Sequence, residues 1–211
     1  KAVDDDRLRI EIGGSTDYFA PSVNMSFKLK SDSEKYFLNI CDDEEQVKTD
    51  KVTETFDKDL ISVKVGDVES TFKSIDNSLK IERIFYTKPT EVVKYKLAFS
   101  KGVEFLYQGE LTTEEIKDGR IRPDNVVGSY AIYCDKANHI QDKSGNTVVN
   151  YGCGKIGHLY APYWFDAKGS EIKGTQELIG NTLTFALPSE KWLDNSAYPI
   201  RLDPTLGAES A

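Results

Sequence analysis

The sequence predicts an all-β fold, an antiparallel β-sandwich with one or two short helices. Apolar and polar residues alternate with a period of two in many short runs, which is typical of strands that have one buried and one solvated face. Turn-forming residues such as Gly, Asp, Asn and Ser separate these runs. Helical periodicity is almost absent between them, which favours antiparallel pairing over a parallel α/β sheet.

The predicted strands share this alternation and occur from the first residues to the last third of the chain. They cover residues 8–12, 23–29, 61–65, 79–82, 93–97 and 183–187. Predicted turns lie at residues 13–15, 76–78, 143–146 and 166–169.

Two short helices complete the prediction. Residues 112–119 begin with a capping box of Thr112 and Glu115. Residues 189–194 offer Ser189 as an N-cap. Because helices this short are unstable alone, we expect both to plug the ends of the sandwich.

Length and composition place the chain among globular domains. We interpret residues 1–211 as a single domain, with a subdivision near residues 109–112 as the alternative. The 27 basic and 35 acidic residues give a net charge of −8, which would repel a phosphate backbone and excludes nucleic acid as an expected partner. No apolar stretch approaches the roughly 20 residues needed to span a bilayer, so a membrane-spanning protein is not expected.

A glycine-rich segment matches the dinucleotide-binding fingerprint, with Gly152, Gly154 and Gly157 in the required positions. That fingerprint needs a helix directly after it. Residues 158–165 are β-prone and contain Pro162, so the pattern favours the start of a strand or a β-bulge. We expect no bound dinucleotide.

Two cysteines and two histidines occur in pairs of equal spacing, Cys134 with His139 and Cys153 with His158. The four side chains are the types that bind zinc tetrahedrally. A disulfide between Cys134 and Cys153 is the second interpretation, if their segments form neighbouring strands. The third is two independent thiols with surface histidines. The spacing leaves all three open.

A calcium loop is a further hypothesis, since Asp142, Ser144 and Asn146 have alternating acidic and polar positions. Thr147 stands where an EF-hand needs Gly, and Cys153 stands where it needs Glu. These two residues exclude an EF-hand and leave a looser loop site.

Catalytic residues are not predicted. The chain contains two histidines and no Gly-x-Ser-x-Gly elbow, and we expect His158 to be a packed strand residue bonded to a backbone carbonyl. Tyr160, Tyr163 and Trp164 are candidate ligand-binding residues, because a platform of aromatic rings is suited to sugars. Aromatic residues this dense in a β-protein more often fill the core.

Several segments from about Asp57 onward carry a resemblance to a known domain. The segments are residues 72–81, 88–90, 95–99, 102–108, 111–116, 122–133, 154–162, 166–169 and 192–207. They resemble a β-rich domain of large bacterial secreted or cell-surface proteins and phage-like structural proteins. The final segment, with Tyr198-Pro199-Ile200 and then Asp203-Pro204-Thr205, is similar to the strand that closes that domain. Residues 1–56 carry no such resemblance.

This resemblance implies a structural or assembly module without catalytic residues, in an extracellular, cell-surface or virion setting. It also implies further β-rich domains beyond this one, with other protein subunits or surface glycans as partners. In that family a His often stands at the position of Cys134 and a small polar residue at that of Cys153, which weakens the disulfide as a family feature. A carbohydrate- or receptor-binding module is the alternative function, and a hydrolase comes third.

Overall fold

The computed structural model is an antiparallel β-sandwich, as the alternation predicts. It describes residues 2–4, 8–13, 22–28, 35–42, 52–57, 60–75, 78–99, 101–134, 139–141, 143–149 and 154–208, with most side chains placed from residue 60 onward. The six predicted strands all form. The possible division near residues 109–112 and the single-domain interpretation stay predictions.

The strands of the first half are short to medium in length. They are β1 (Ala2–Asp4), β2 (Leu8–Gly13), β3 (Ser22–Lys28), β4 (Lys35–Asp42), β5 (Val52–Asp57), β6 (Leu60–Val65), β7 (Val68–Ile75), β8 (Ser78–Phe85), β9 (Val93–Phe99) and β10 (Val103–Gln108). Those of the second half are β11 (Ser129–Cys134), β12 (His139–Gln141), β13 (Thr147–Val149), β14 (Lys155–Leu159), β15 (Tyr163–Phe165), β16 (Glu171–Lys173), β17 (Gln176–Ile179), β18 (Thr182–Phe185), β19 (Ile200–Asp203) and β20 (Thr205–Ala208).

These strands form two large sheets and one small hairpin. Sheet A has the order β1-β2-β3-β4-β9-β18-β17. In sheet B, β10, β11, β14, β20, β8, β19, β15 and β16 follow one another along the hydrogen-bonded path, and β7, β6 and β5 extend the sheet from the free side of β8. Strands β12 and β13 pair with each other.

The segment 200–208, which we call the closing strand, lies in the middle of sheet B. It consists of β19 and β20, separated at Pro204. One side pairs with β8, where Leu202 lies opposite Arg83 and Leu206 opposite Leu79. The other side pairs with β15 and β14, which form a second long segment interrupted at residues 160–162. The closing strand therefore joins parts of the chain that are more than 70 residues apart in sequence, from β8 to β15.

The core fills the space between the two sheets. Strand β8 alternates between partly and fully buried positions over its whole length, as a half-buried strand should. Its buried apolar residues Leu79, Ile81 and Phe85 belong to one hydrophobic cluster with residues of β9, β18 and the closing strand. The largest fully buried side chains are Trp164, Tyr95, Phe72, Phe185, Leu79, Ile81, Leu97 and Ile132.

The two helices differ in what they contribute to packing. Helix α1 (Thr113–Lys117) has the predicted capping box, but it buries none of its residues, so the prediction that it plugs the sandwich is wrong. Helix α2 (Glu190–Asn195) is capped by Ser189 and inserts Leu193 into the core. Lys88, in the connection between β8 and β9, holds α2 to that connection through ion pairs with Asp194 and Glu190, and these hydrogen bonds raise the pKa of Lys88.

The predicted turn at residues 166–169 connects β15 to β16 and is organised by one carboxylate. Oδ1 of Asp166 accepts hydrogen bonds from the amides of Lys168 and Ser170, at 2.9 and 2.7 Å. Its Oδ2 accepts from the amide of Ala197, at 3.1 Å. The amide of Ala197, first, and those of Ser170 and Lys168 hold the pKa of Asp166 below its ordinary value, although burial opposes them.

The substitution Asp166→Asn tests this turn. An acid whose pKa is lowered by folding stabilises the folded state above its unfolded pKa, and this stabilisation is lost as the pH falls. We therefore expect a lower urea midpoint for the variant than for the wild type at neutral pH, and a difference that shrinks below the ordinary Asp pKa of about 3.9. The exposed Glu171→Gln is the matched control and should show no such difference. A stability gap for Asp166→Asn that does not depend on pH would contradict the role of the carboxylate.

Candidate functional site

A buried histidine and serine form the most enclosed polar pair of the described chain. His158 of β14 is 2% exposed, and Ser129 at the start of β11 is fully buried. The histidine Nε2 lies 2.6 Å from the serine Oγ. The strands bring them together because β11 and β14 pair, with Ala131 opposite His158.

The direction of this hydrogen bond follows from the neighbours of the serine. The Ser129 hydroxyl donates to the carbonyl oxygen of Val126, which can only accept. A hydroxyl has one proton, so Ser129 Oγ must accept at its contact with His158, and Nε2 must carry the proton. A general base would have to accept the serine proton at this nitrogen. The pair is thus arranged for packing and not for activating a nucleophile.

The Cys/His group proposed for zinc lies largely outside the described residues. Cys153 and the side chains of Cys134 and His139 are not described, while His158 is bonded to Ser129. Strands β11 and β14 are neighbours, with Tyr133 opposite Lys155, as the disulfide interpretation required of their segments. Zinc, disulfide and separate thiols all stay predictions. In the part of the chain that is described, no three His, Cys, Asp or Glu side chains group to hold a metal ion.

The calcium hypothesis concerns the connection between β12 and β13. Residues 143–146 form the turn of this hairpin, as predicted, with Gly145 at a positive φ of 81°. Asp142 lies outside the described residues, so a calcium site in this loop stays a prediction.

The glycine-rich segment leads into a strand. Gly154 has a positive φ of 76°, and β14 begins at the next residue. Opposite it, the register shifts between Ile132 and Tyr133, which makes a β-bulge. The sequence prediction of a strand start or bulge is confirmed.

The three aromatic residues considered as a ligand platform lie in different environments. Trp164 is fully buried against Phe85, with ring centroids 5.8 Å apart. A side chain at Gly174 would approach its indole to 3.1 Å, so the residue at this position has to be small. Tyr160 packs on the His158 ring at 4.6 Å, and Tyr163 is half-buried. With Trp164 in the core, the three rings do not form one exposed surface.

A cleft that the sequence analysis did not identify opens where the edge of sheet A meets sheet B. Its volume is about 400 Å³. The lining comes from β10, β11, β17, β18 and the residues beside them, namely Val92, Tyr107, Tyr130, Thr175, Gln176, Glu177, Thr184 and Ala186. Among these, Tyr130 and Gln176 are each 7% exposed, while the Tyr107 side chain is 53% exposed.

The floor of this cleft is fixed by hydrogen bonds between the sheets. Gln176 Nε2 donates to the carbonyls of Gly128 and Tyr160, at 3.0 and 3.1 Å. The Tyr130 hydroxyl accepts from the amide of Leu178 at 2.8 Å, which satisfies a donor on an edge strand. Burial raises the pKa of Tyr130, and the bond from Leu178 opposes that shift.

The sequence contains one indication of the cleft floor, which is the position of Gln176. It lies opposite Phe185, at an inward position where the alternation calls for an apolar residue. A polar residue at such a position needs a partner that the sequence does not reveal.

A second polar cluster lies on the outer face of sheet B around the closing strand. Lys80 contacts Asp203 at 3.0 Å and Glu82 at 3.1 Å, and Arg201 contacts Glu82 at 3.4 Å. Burial raises the pKa of Asp203 in spite of the nearby Lys80 ammonium. Burial alone would lower the pKa of Lys80, but its hydrogen bonds to the two carboxylates outweigh this and raise it. Both carboxylates are engaged in an ion-pair network.

No known family, curated protein or solved structure matches the chain. Within the described residues, no helix has the length and apolar character needed to cross a bilayer.

The Ser129 and His158 geometry predicts a stability effect and a tautomer. Ser129→Ala should lower the free energy of unfolding by about 1–3 kcal/mol, because it leaves the buried Nε2–H without its acceptor. The exposed Ser170→Ala is the matched control and should change little. Long-range ¹H–¹⁵N spectra of the wild type should show His158 protonated on Nε2. An unprotonated Nε2 in the folded protein would contradict the assigned direction.

Proposed function

We propose that the chain is a non-enzymatic structural or assembly module of a surface-exposed or virion, phage-like protein. Its expected setting is extracellular, on a cell surface or in a virion, and its expected partners are other protein subunits or surface glycans. It would be joined to further β-rich domains. The observation that carries the proposal is the position of the closing strand.

The closing strand is hydrogen-bonded on both sides over nearly its full length. Removing it from the sheet would break two ladders at once and expose Ile200, Leu202 and Leu206, each of which is fully buried. A segment that is paired on both sides distributes an applied force over two neighbouring strands. It also fixes the position of a domain that is joined to it. This suits a module that holds or presents other domains.

The buried histidine supports the non-enzymatic part of the proposal. Ser129, the hydroxyl next to it, is fully buried and donates its proton to a carbonyl. A substrate would need access to the serine oxygen, and a base would need to remove that proton. Neither condition is met by this pair.

A hydrolase screen combined with sedimentation velocity tests the proposal. We expect the purified chain to release no product from ester, peptide, glycoside and phosphate substrates, and to self-associate as its concentration rises. Ser129→Ala and Ser170→Ala are compared with the wild type in the same screen. Three results together would contradict the proposal. They are turnover of a substrate, loss of that turnover in Ser129→Ala but not in Ser170→Ala, and a protein that is monomeric at every concentration.

A further inference from the structure

The cleft between the edges of the two sheets combines a rigid floor with exposed polar walls. The floor consists of Tyr130 and Gln176, which are held by the three hydrogen bonds between the sheets. The walls include the Tyr107 ring, Glu177 and Thr184. Because the floor is already ordered, a ligand would not have to order it, which favours binding.

Gln176 is oriented by its neighbours and retains hydrogen-bonding capacity. Its amide nitrogen donates to two carbonyls, which fixes which end of the amide is oxygen. Its Oε1 is buried and accepts no hydrogen bond from the described part of the chain. A buried acceptor without a donor is unfavourable and uncommon. A ligand hydroxyl bound at the cleft floor is the type of donor that this oxygen lacks.

Tyr107 supplies an apolar surface beside these polar groups. Its ring lies against that of Tyr130, with centroids 5.3 Å apart and planes at 59°. Just over half of the Tyr107 side chain is exposed. Its accessible ring can pack against an apolar face of a ligand while the neighbouring polar groups bind hydroxyls.

The charge of the residues that line the cleft disfavours anionic ligands. Glu177 is a carboxylate, and no Lys or Arg side chain is among the described residues that line the cleft. Binding of a phosphate, sulfate or carboxylate would need cationic donors there. The two threonines, the glutamine and the tyrosines are neutral partners, which suit hydroxyl groups. A sugar ring combines an apolar face with several hydroxyls and carries no charge.

We propose that this cleft binds a neutral saccharide, with Tyr107 against the sugar ring and Glu177, Thr175 and Thr184 as hydroxyl partners. Gln176 and Tyr130 form the ordered floor. The site is distinct from the Tyr160, Tyr163 and Trp164 segment and goes beyond the proposed structural role. A module that binds glycans here can attach the domains joined to it to a glycosylated surface.

Saturation-transfer NMR with a defined panel tests the site. The probes are glucose, galactose, N-acetylglucosamine, maltose, cellobiose and lactose at millimolar concentration, with glucuronic acid and choline as charged probes. We expect at least one neutral sugar to bind the wild type and glucuronic acid, whose carboxylate Glu177 repels, to bind less well. Tyr107→Ala should weaken that binding about tenfold, as expected for the loss of one aromatic contact.

Two further variants make the test specific. Glu177→Gln keeps the shape of the side chain and should weaken sugar binding less than Tyr107→Ala does. Tyr163→Ala, the matched aromatic control on another part of sheet B, should leave binding unchanged. Thermal melts monitored by circular dichroism verify that each variant is folded.

Several outcomes would overturn the proposal. They are no binding of any neutral sugar by the wild type, unchanged binding in a folded Tyr107→Ala variant, loss of binding in Tyr163→Ala, and tighter binding of glucuronic acid or choline than of every neutral sugar. Sugar binding can fail in this way while the hydrolase and sedimentation results still support the structural role, so the two proposals are tested separately.

Discussion

The pairing of the closing strand on both sides is the constraint on which the rest of the described fold depends. It connects the β5–β8 part of sheet B with the β10–β16 part. Without it, the buried Arg83 of β8 and the buried Trp164 would lose a shared neighbour, because Leu202 lies between them in register. Pairing of segments so distant in sequence is entropically costly and contributes to slow folding. Stability and topology therefore depend on the same residues.

The position of the site residues follows from this arrangement. Strand β14 lies between β11 and β20, and this pairing places His158 near Ser129. The segment after β14 presents the Tyr160 carbonyl to Gln176 of sheet A. The same hydrogen bond fastens the edges of the two sheets and fixes the cleft floor. A structural role and a binding cleft are thus built from one set of contacts between the sheets.

Local features of the fold were predictable, and non-local ones were not. Alternation identifies β8 because Leu79 and Ile81 are buried between polar neighbours, whereas the buried Arg83 breaks the apolar pattern and was not predictable from it. The capping box of α1 is also local, but whether the helix packs depends on distant residues. His158 was predicted to be packed and is buried, and the sequence did not identify the Ser129 hydroxyl as a partner. Tyr107 and Gln176 line one cleft only because distant strands pair, so the sequence offers the inward Gln176 as a signal but does not reveal the cleft.

Native-state hydrogen exchange tests the central claim most directly. Amides that open only when the whole domain unfolds exchange slowest. We expect the paired amides of β8, β19 and β20 to belong to this slowest group, and those of the edge strands β10 and β16 to exchange faster. Exchange of the β19 and β20 amides as fast as those of the exposed helix α1 would contradict it, since the closing strand would then not hold sheet B together.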